Sequence, residues 1–372
     1  MATETAERWQ PNWAVHPGEI LAEALEERAM SQAELARRMD RPVKTVNEIV
    51  KGRSAITPDT AIQLEFVLGI PSRLWNNLQR DYWEAEARLQ ELQRLEREAA
   101  WVDGFPVNQM IERGWLPPAS SKVETMGHLL RFFAVSGPSA WERQWATTQA
   151  AFRRSPAFAP SPQAVSAWLR QGEIKAVNIA SAQFDVAKLR AALPAIRALV
   201  TLDPMAFMQD LVEILAESGV ALIMTPELPG THLSGAARWI TPTKALVQLS
   251  LRHRSEDQFW FALFHELGHL LRSGPRSAFL DTPGADQLQG PDEDAADRFA
   301  RNQLISQADF DRIHQAGQFG RDAVERWATE LGLTPGIVVG RLQHEGLIHP
   351  PQLNYMKRRW DWGDRPRASR SR

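Results

Sequence analysis

The stretch "FWFALFHELGHLLRSG", from Phe259 to Gly274, constrains the fold of this chain more than any other. It is an apolar run that carries two histidines four residues apart, His265 and His269, with Glu266 directly after the first. On a helix the two imidazoles lie one turn apart on one face and can reach a single ion. Glu266 is rotated by about 100° from His265. From there it is poorly placed as a third ligand but well placed to take a proton from water at the ion, which is why the spacing H-E-x-x-H carries a mechanism. Phe261, Phe264, Leu267 and Leu270, with Leu263 in part, supply an apolar surround. Gly268 leaves room for close approach to the helix, read here as room for a substrate backbone. Two core histidines satisfied by hydrogen bonds would look the same locally, and a catalytic zinc takes three protein ligands.

A third ligand has to come from elsewhere, and "GPDEDAADRFARNQLIS" offers one. Glu293 and Asp297 are four apart, on one face of a helix that also carries Ala295, Ala296, Phe299 and Ala300. Glu293 can supply a ligand oxygen, while Asp297, one turn on, can accept the far N–H of a ligand histidine and fix its tautomer. Asp294 competes with Glu293, which the spacing to Asp297 favours. Alone, the segment also fits an ordinary amphipathic helix with a solvated acidic start.

Length and composition bound what surrounds this site. A chain of 372 residues suits two or three domains with ample core. It has no cysteine, which excludes disulfides and thiolate metal sites and points to a reducing cytoplasm. The N-terminus lacks the pattern of a signal peptide, and no apolar run approaches the ~20 residues of a membrane span, so no membrane partner is expected. With a formal net charge of −2, any nucleic-acid contact must be a local patch.

Residues 78 to 100 read as a charged helix whose Leu78, Tyr82, Ala85, Leu89 and Leu92 suit a short seam, either on its own domain or in a dimer. Residues 101 to 200 are helical pieces broken by Pro and Gly, with "RRSPAFAPSP" as a loop. After a helix at 205 to 218 come β-rich pieces at 220–225, 235–240 and 245–251, which predict a small, largely antiparallel sheet. The edge near Ala245 to Leu251 is where a substrate strand is expected. From Lys357 the tail holds seven Lys or Arg against two Asp and reads as a solvated basic end.

"FHELGHLL", "EDAADRFA", the preceding β-pieces and the ending "IVVGRLQHEGLI" together resemble the ImmA/IrrE group of zinc metallopeptidases over residues 205 to 355. The resemblance implies a gluzincin-type site that clips a helix-turn-helix repressor. It implies zinc (Zn2+) on His265, His269 and Glu293, with Glu266 as general base. The chain departs from the group at Ala295, where members often carry a second Glu. No residue stands out as the stabiliser of an oxyanion; His232 and His344 are the candidates.

The other end has its own grammar. Ser31 and Glu34 form a capping box that opens a helix with Leu35 and Met39 inward. Pro42 starts a second helix, Val43 to Lys51, which buries Val46, Ile49 and Val50 and stops at Gly52. Thr57-Pro58 starts a third with Ala61, Leu64 and Leu68 inward. Two short helices about a tight turn are the helix-turn-helix plan, whose second helix enters the major groove. From Arg37 to Arg53, six basic residues stand against Asp40 and Glu48. Lys44, Thr45 and Asn47 are the residues expected to reach base edges, and Arg38, Lys51 and Arg53 those expected to grip phosphates. The stretch from His16 to Trp75, above all "HPGE" and "NEIVKGRSAIT", resembles the HigA/VapI branch of XRE-type regulators. That resemblance implies operator binding as a homodimer, often by antitoxins that repress their own operon.

The expected fold is therefore mainly α, in four parts. Residues 1–77 form a helix-turn-helix DNA-binding bundle and 78–204 a helical middle region. Residues 205–355 form an α+β zincin-like domain with a small antiparallel sheet, and 356–372 a basic tail. The expected function is a cytoplasmic DNA-binding regulator whose zinc metallo-endopeptidase domain cleaves a regulatory protein. The substrate is read as a repressor, a toxin–antitoxin partner or the chain itself, with "RRSPAFAPSPQA" as a self-cleavage site. The alternative is a HigA-like autorepressor whose zinc domain senses a signal or binds a partner without cutting.

Overall fold

The computed structural model describes residues 14–152, 161–250, 254–272 and 291–360. Most of the loop read as a self-cleavage site, and the tail beyond Trp360, lie outside the described residues. The chain divides into two compact units, one reaching to Ala100 together with Ser121–Met126, the other formed by Trp101–Ser120 and everything from Gly127 onward.

The first unit is built from α1 (Pro17–Glu27), α2 (Gln32–Arg38), α3 (Val43–Val50), α4 (Pro58–Leu68) and α5 (Ser72–Glu98). Each start has a local cause. His16 caps α1 by accepting the Gly18 N–H on Nδ1 at 2.9 Å, and Ser31 Oγ caps α2 by accepting the Glu34 N–H at 3.1 Å. Pro42 precedes α3, and Thr57 with Pro58 opens α4. Leu21, Leu35, Val46, Ile49, Leu64 and Trp75 close the core, all at most 2% exposed. The charged helix α5 begins six residues earlier than expected, at Ser72. On its seam Leu78, Tyr82, Ala85 and Leu89 are half-buried and Leu92 is exposed.

The second unit continues through α6 (Val107–Glu112), α7 (Lys122–Phe133, whose first residues belong to the first unit), α8 (Pro138–Phe152), α9 (Pro162–Val177), α10 (Val186–Ala198) and α11 (Pro204–Glu217). Then come β1 (Val220–Thr225), β2 (Gly235–Thr241), β3 (Lys244–Ser250), α12 (Glu256–Arg272), α13 (Pro291–Leu304), α14 (Gln307–Ala316), α15 (Arg321–Leu331) and α16 (Pro335–His344). Among the described residues, no helix is long and apolar enough to cross a membrane.

The sheet is mixed, in the order β1-β3-β2. β2 and β3 pair antiparallel as expected, Gly235 facing Leu249 and Ala237 facing Val247. β1 instead pairs parallel with β3, Val220 facing Ala245 and Thr225 facing Ser250. The cause is topological: β2 reverses β1, β3 reverses β2, and β3 inserts between them. β3 is thus the central strand with both edges paired, which corrects the expectation that a substrate strand adds near Ala245 to Leu251. Among the described residues the outer edge of β2 is unpaired by any strand.

Both sheet faces are covered, which is why "VALIM" reads as an unbroken apolar run. Val220, Leu222, Ala245, Val247 and Leu249 join the main core with α10, α11 and α12; Ala221, Ile223 and Leu246 meet Ala176 of α9. The Trp168 indole N–H donates to the Thr225 carbonyl at 3.0 Å, and Gln248 Nε2 donates to the Trp168 carbonyl at 2.8 Å, fixing α9 on the strands. Trp260, Leu263, Phe264 and Leu267 of α12 are fully buried; each contributes on the order of 1.5–3 kcal/mol. Lys357 and Arg358, expected at the start of a solvated tail, are docked instead. Lys357 Nζ lies 2.7 Å from Asp257, and Arg358 bonds Glu256 through its backbone N–H at 2.9 Å and Nε at 2.5 Å. They hold the first turn of α12, whose two carboxylates would otherwise be buried uncompensated.

Candidate metal centre

α12 and α13 cross closely, and Gly268 is the reason they can. A Cβ at Gly268 would lie 3.0 Å from Phe299 Cδ1 and 3.3 Å from Ala296 Cα. The room expected for a substrate backbone is therefore filled by α13. That approach brings His265, His269 and Glu293 together, with one ligand atom from each within 4.8 Å of the others. The two Nε2 atoms are 3.0 Å apart, and the Glu293 oxygens lie 3.2 Å from His265 and 3.3 Å from His269. Zinc ligand atoms at about 2.0–2.2 Å in a tetrahedron stand about 3.3–3.6 Å from one another, close to these separations, so the donor set fits a small divalent ion. Asp294, the competing carboxylate, is exposed and outside this group.

Asp297 Oδ1 lies 2.8 Å from His265 Nδ1. It accepts that N–H and fixes the ring so that Nε2 faces Glu293 and His269, where it carries a proton toward Glu293 or binds an ion. Burial disfavours charge on His265, but the hydrogen bonds to Asp297 and Glu293 outweigh it and raise its pKa to about 10. Burial pushes Glu293 up, yet its bonds to the two histidines hold it at about 2. The hydrogen bond from His265 likewise holds Asp297 below the usual carboxylate range. The carboxylates around the imidazoles thus call for positive charge between them, a proton or a metal ion.

Glu266 is buried beside this group, and burial raises it to about 7 against the pull of the two histidines. It accepts a hydrogen bond from the Ala237 backbone N–H. Gly235 is the residue that sequence reasoning missed here: a Cβ on it would stand 2.7 Å from Glu266 Oε1. Only a glycine lets β2 pass so close to the carboxyl. His232, one of the two oxyanion candidates, is exposed and lies outside the cavity around this group, whereas His344 lines it.

In the first unit the residues expected to touch DNA lie on and around α3. Arg38, Lys44, Lys51 and Arg53 are exposed; Thr45 and Asn47 are half-buried. Asn47 Nδ2 donates to Gln32 Oε1 at 3.0 Å, which ties α3 to the start of α2. Arg37 and Arg38 both pair with Glu34, and Lys44 lies 3.8 Å from Glu48. Lys51 and Arg53 make no ion pair among the described residues.

Residues 21–75 match the helix-turn-helix family model, and residues 223–343 match a peptidase family model described as the IrrE N-terminal-like domain. Over 82 residues the chain is 38% identical to the uncharacterized HTH-type transcriptional regulator YddM of Escherichia coli (strain K12), 22% of this chain and 87% of that protein. The chain joins a helix-turn-helix regulator domain to an IrrE N-terminal-like domain. Virulence-associated protein I of Dichelobacter nodosus is 39% identical over 70 residues, 18% of this chain and 65% of that protein. Among solved structures, the Pseudomonas aeruginosa antitoxin HigA with the higBA promoter is 38% identical, with a TM-score of 0.22 over 23% of this chain and 95% of that one.

The second unit contains a cavity of about 650 Å³, and the histidines, Glu266 and Glu293 form part of its wall. The β2 segment from Gly235 to Arg238 forms another part. Beyond Phe261, whose ring lies 6.1 Å from that of His265 and 6.3 Å from that of His344, the wall turns basic with Arg301, Arg341 and Lys357.

Proposed function

We propose that the chain is a DNA-binding regulator whose IrrE N-terminal-like domain is a zinc-dependent endopeptidase acting on a regulatory protein. The observation that carries this reading is the convergence of two imidazoles and a carboxylate beside a buried glutamate, in a cavity bordered by a sheet edge. His265, His269 and Glu293 hold the ion, and Asp297 orients His265. When bound, zinc supplies Lewis acidity at this point. Glu266 is the general base. With an ordinary pKa raised toward neutrality by burial, it can take a proton from the attacking water and return it to the departing amine. The outer edge of β2 holds the peptide as an added strand across that carboxylate.

The helix-turn-helix domain supplies the address. Arg38, Lys51 and Arg53 grip phosphates, while Lys44, Thr45 and Asn47 face the major groove of operator DNA bound by a homodimer. Cleavage of a repressor, of a toxin–antitoxin partner or of the chain itself then changes which genes are read. The test compares wild type with Glu266→Gln, both loaded with zinc, by intact mass over time, alone and with helix-turn-helix repressors from the same cell. Wild type cuts, and the variant keeps zinc and DNA binding but does not cut. If the two behave alike with every substrate, the peptidase reading fails, and an autorepressor whose metal domain binds without cutting replaces it.

A further inference from the structure

The basic wall of the cavity has no task in the chemistry just described. Arg341, on α16, is 8% exposed and lines the cavity, and its guanidinium lies 4.5 Å over the ring of Phe310. Its Nε is 3.0 Å from Glu345, yet neither Nε nor Nη1 makes a hydrogen bond of acceptable geometry among the described residues. Those two nitrogens are closed off from solvent, but the residue itself stands in the cavity wall, and the usual partner of an arginine there is a carboxylate or phosphate. Arg301 stands in the same wall and donates from Nη1 to His344 Nε2 at 2.9 Å. Because an arginine cannot accept, that bond places the proton of neutral His344 on Nδ1. Lys357, the remaining cation, is neutralised by Asp257.

We propose that Arg341, Arg301 and His344 form an anion subsite of the metal cavity, which takes a carboxylate of the bound peptide. The ring of Phe261 is a neighbour of both the metal ligand His265 and His344, and all three line the cavity. A peptide anchored at the ion therefore reaches this wall with a side chain or chain end one or two residues away. The carboxylate belongs either to an acidic side chain near the cleaved bond or to a free C-terminus. The inference rests on the metal-centre reading above and adds to it a selectivity for acidic peptides.

Short peptide hydroxamates test it without turnover, because the hydroxamate grips zinc. Two matched probes carry Glu or Gln two residues from the hydroxamate, each with a free or an amidated C-terminus. Their Kd values are measured on the zinc-loaded full chain, on Arg341→Gln and on Arg301→Gln. The expected result is at least a tenfold preference for the carboxylate-bearing probe that falls toward unity in both variants. Arg301→Gln covers the case in which Arg341→Gln folds poorly. Preference that follows the side chain in amidated probes assigns the acidic-residue source; preference that follows only the free terminus assigns the chain end. Equal binding of all probes to wild type, with zinc-dependent affinity intact, overturns the subsite and leaves the metal centre standing. No zinc-dependent binding of any probe overturns both.

Discussion

His265 shows how a single side chain can depend on its neighbours for its role. Its two ring nitrogens face different partners, Asp297 on Nδ1 and the Glu293–His269 pair on Nε2. Replacing Asp297 by Ala frees the ring to rotate and to change tautomer, and zinc affinity is expected to fall 10–100-fold while the fold persists. Competition with a chelating dye measures this, and an unchanged Kd would show that Asp297 does not orient the ligand. The same cluster sets a pH dependence in the metal-free protein. His265 rises to about 10 in the folded state from an ordinary 6.5, so the stability it contributes is fully present below about 6.5 and lost as pH rises through 10. Glu266, raised to about 7, acts in the same direction from about 4.5 to 7, because the folded state holds the proton more tightly. The Tm of chelated protein is expected to fall across pH 6.5–10, and a zinc-loaded sample to fall much less. A chelated Tm that rises over that window contradicts the assignment of these protons.

At the scale of elements, the decisive contact is α12 against α13 at Gly268. Gly268→Val sets a branched side chain against Phe299 and Ala296, and is expected to cost about 1–3 kcal/mol and to weaken zinc binding by displacing Glu293. Denaturant titration and metal affinity read both effects; a variant unchanged in both would show that the helices have slack. In the other unit, Lys51→Ala and Arg53→Ala are each expected to reduce by about one the salt slope of binding to a mixed-sequence duplex. Unchanged slopes place the DNA surface elsewhere. These elements were largely legible in the sequence, for physical reasons. Caps at Ser31 and Thr57, the turn at Pro42 and the four-residue spacings of His265–His269 and Glu293–Asp297 are local signals that survive packing. Strand order was not legible, since a nearly continuous apolar run does not say which strands lie on either side of it. For that reason β3 read as the edge and β2, with Gly235 against Glu266, passed unnoticed. Arg341 was equally hidden: its guanidinium lies over the ring of Phe310, far earlier in the chain, which no local spacing announces. Lys357 and Arg358 read as tail because their acidic partners lie about a hundred residues earlier.

For the molecule as a whole, two units each bury their own apolar core, one around Leu35, Val46 and Trp75, the other around the sheet and α12. Chelation should therefore lower the stability of the unit that holds the metal, by about 2.7 kcal/mol when free zinc had stood at 100 times its Kd. DNA affinity should stay as it was. Calorimetry with and without a chelator, beside a DNA titration, separates the two, and a parallel loss of both contradicts independent cores. A metal held by three side chains from two crossing helices can be read directly. The measurement is the zinc content of the purified full chain beside Glu266→Gln, His269→Ala and Glu293→Gln. One zinc per chain is expected in wild type and Glu266→Gln, and a large loss in the other two. Full occupancy in His269→Ala or Glu293→Gln, or none in wild type supplied with zinc, would contradict this metal site.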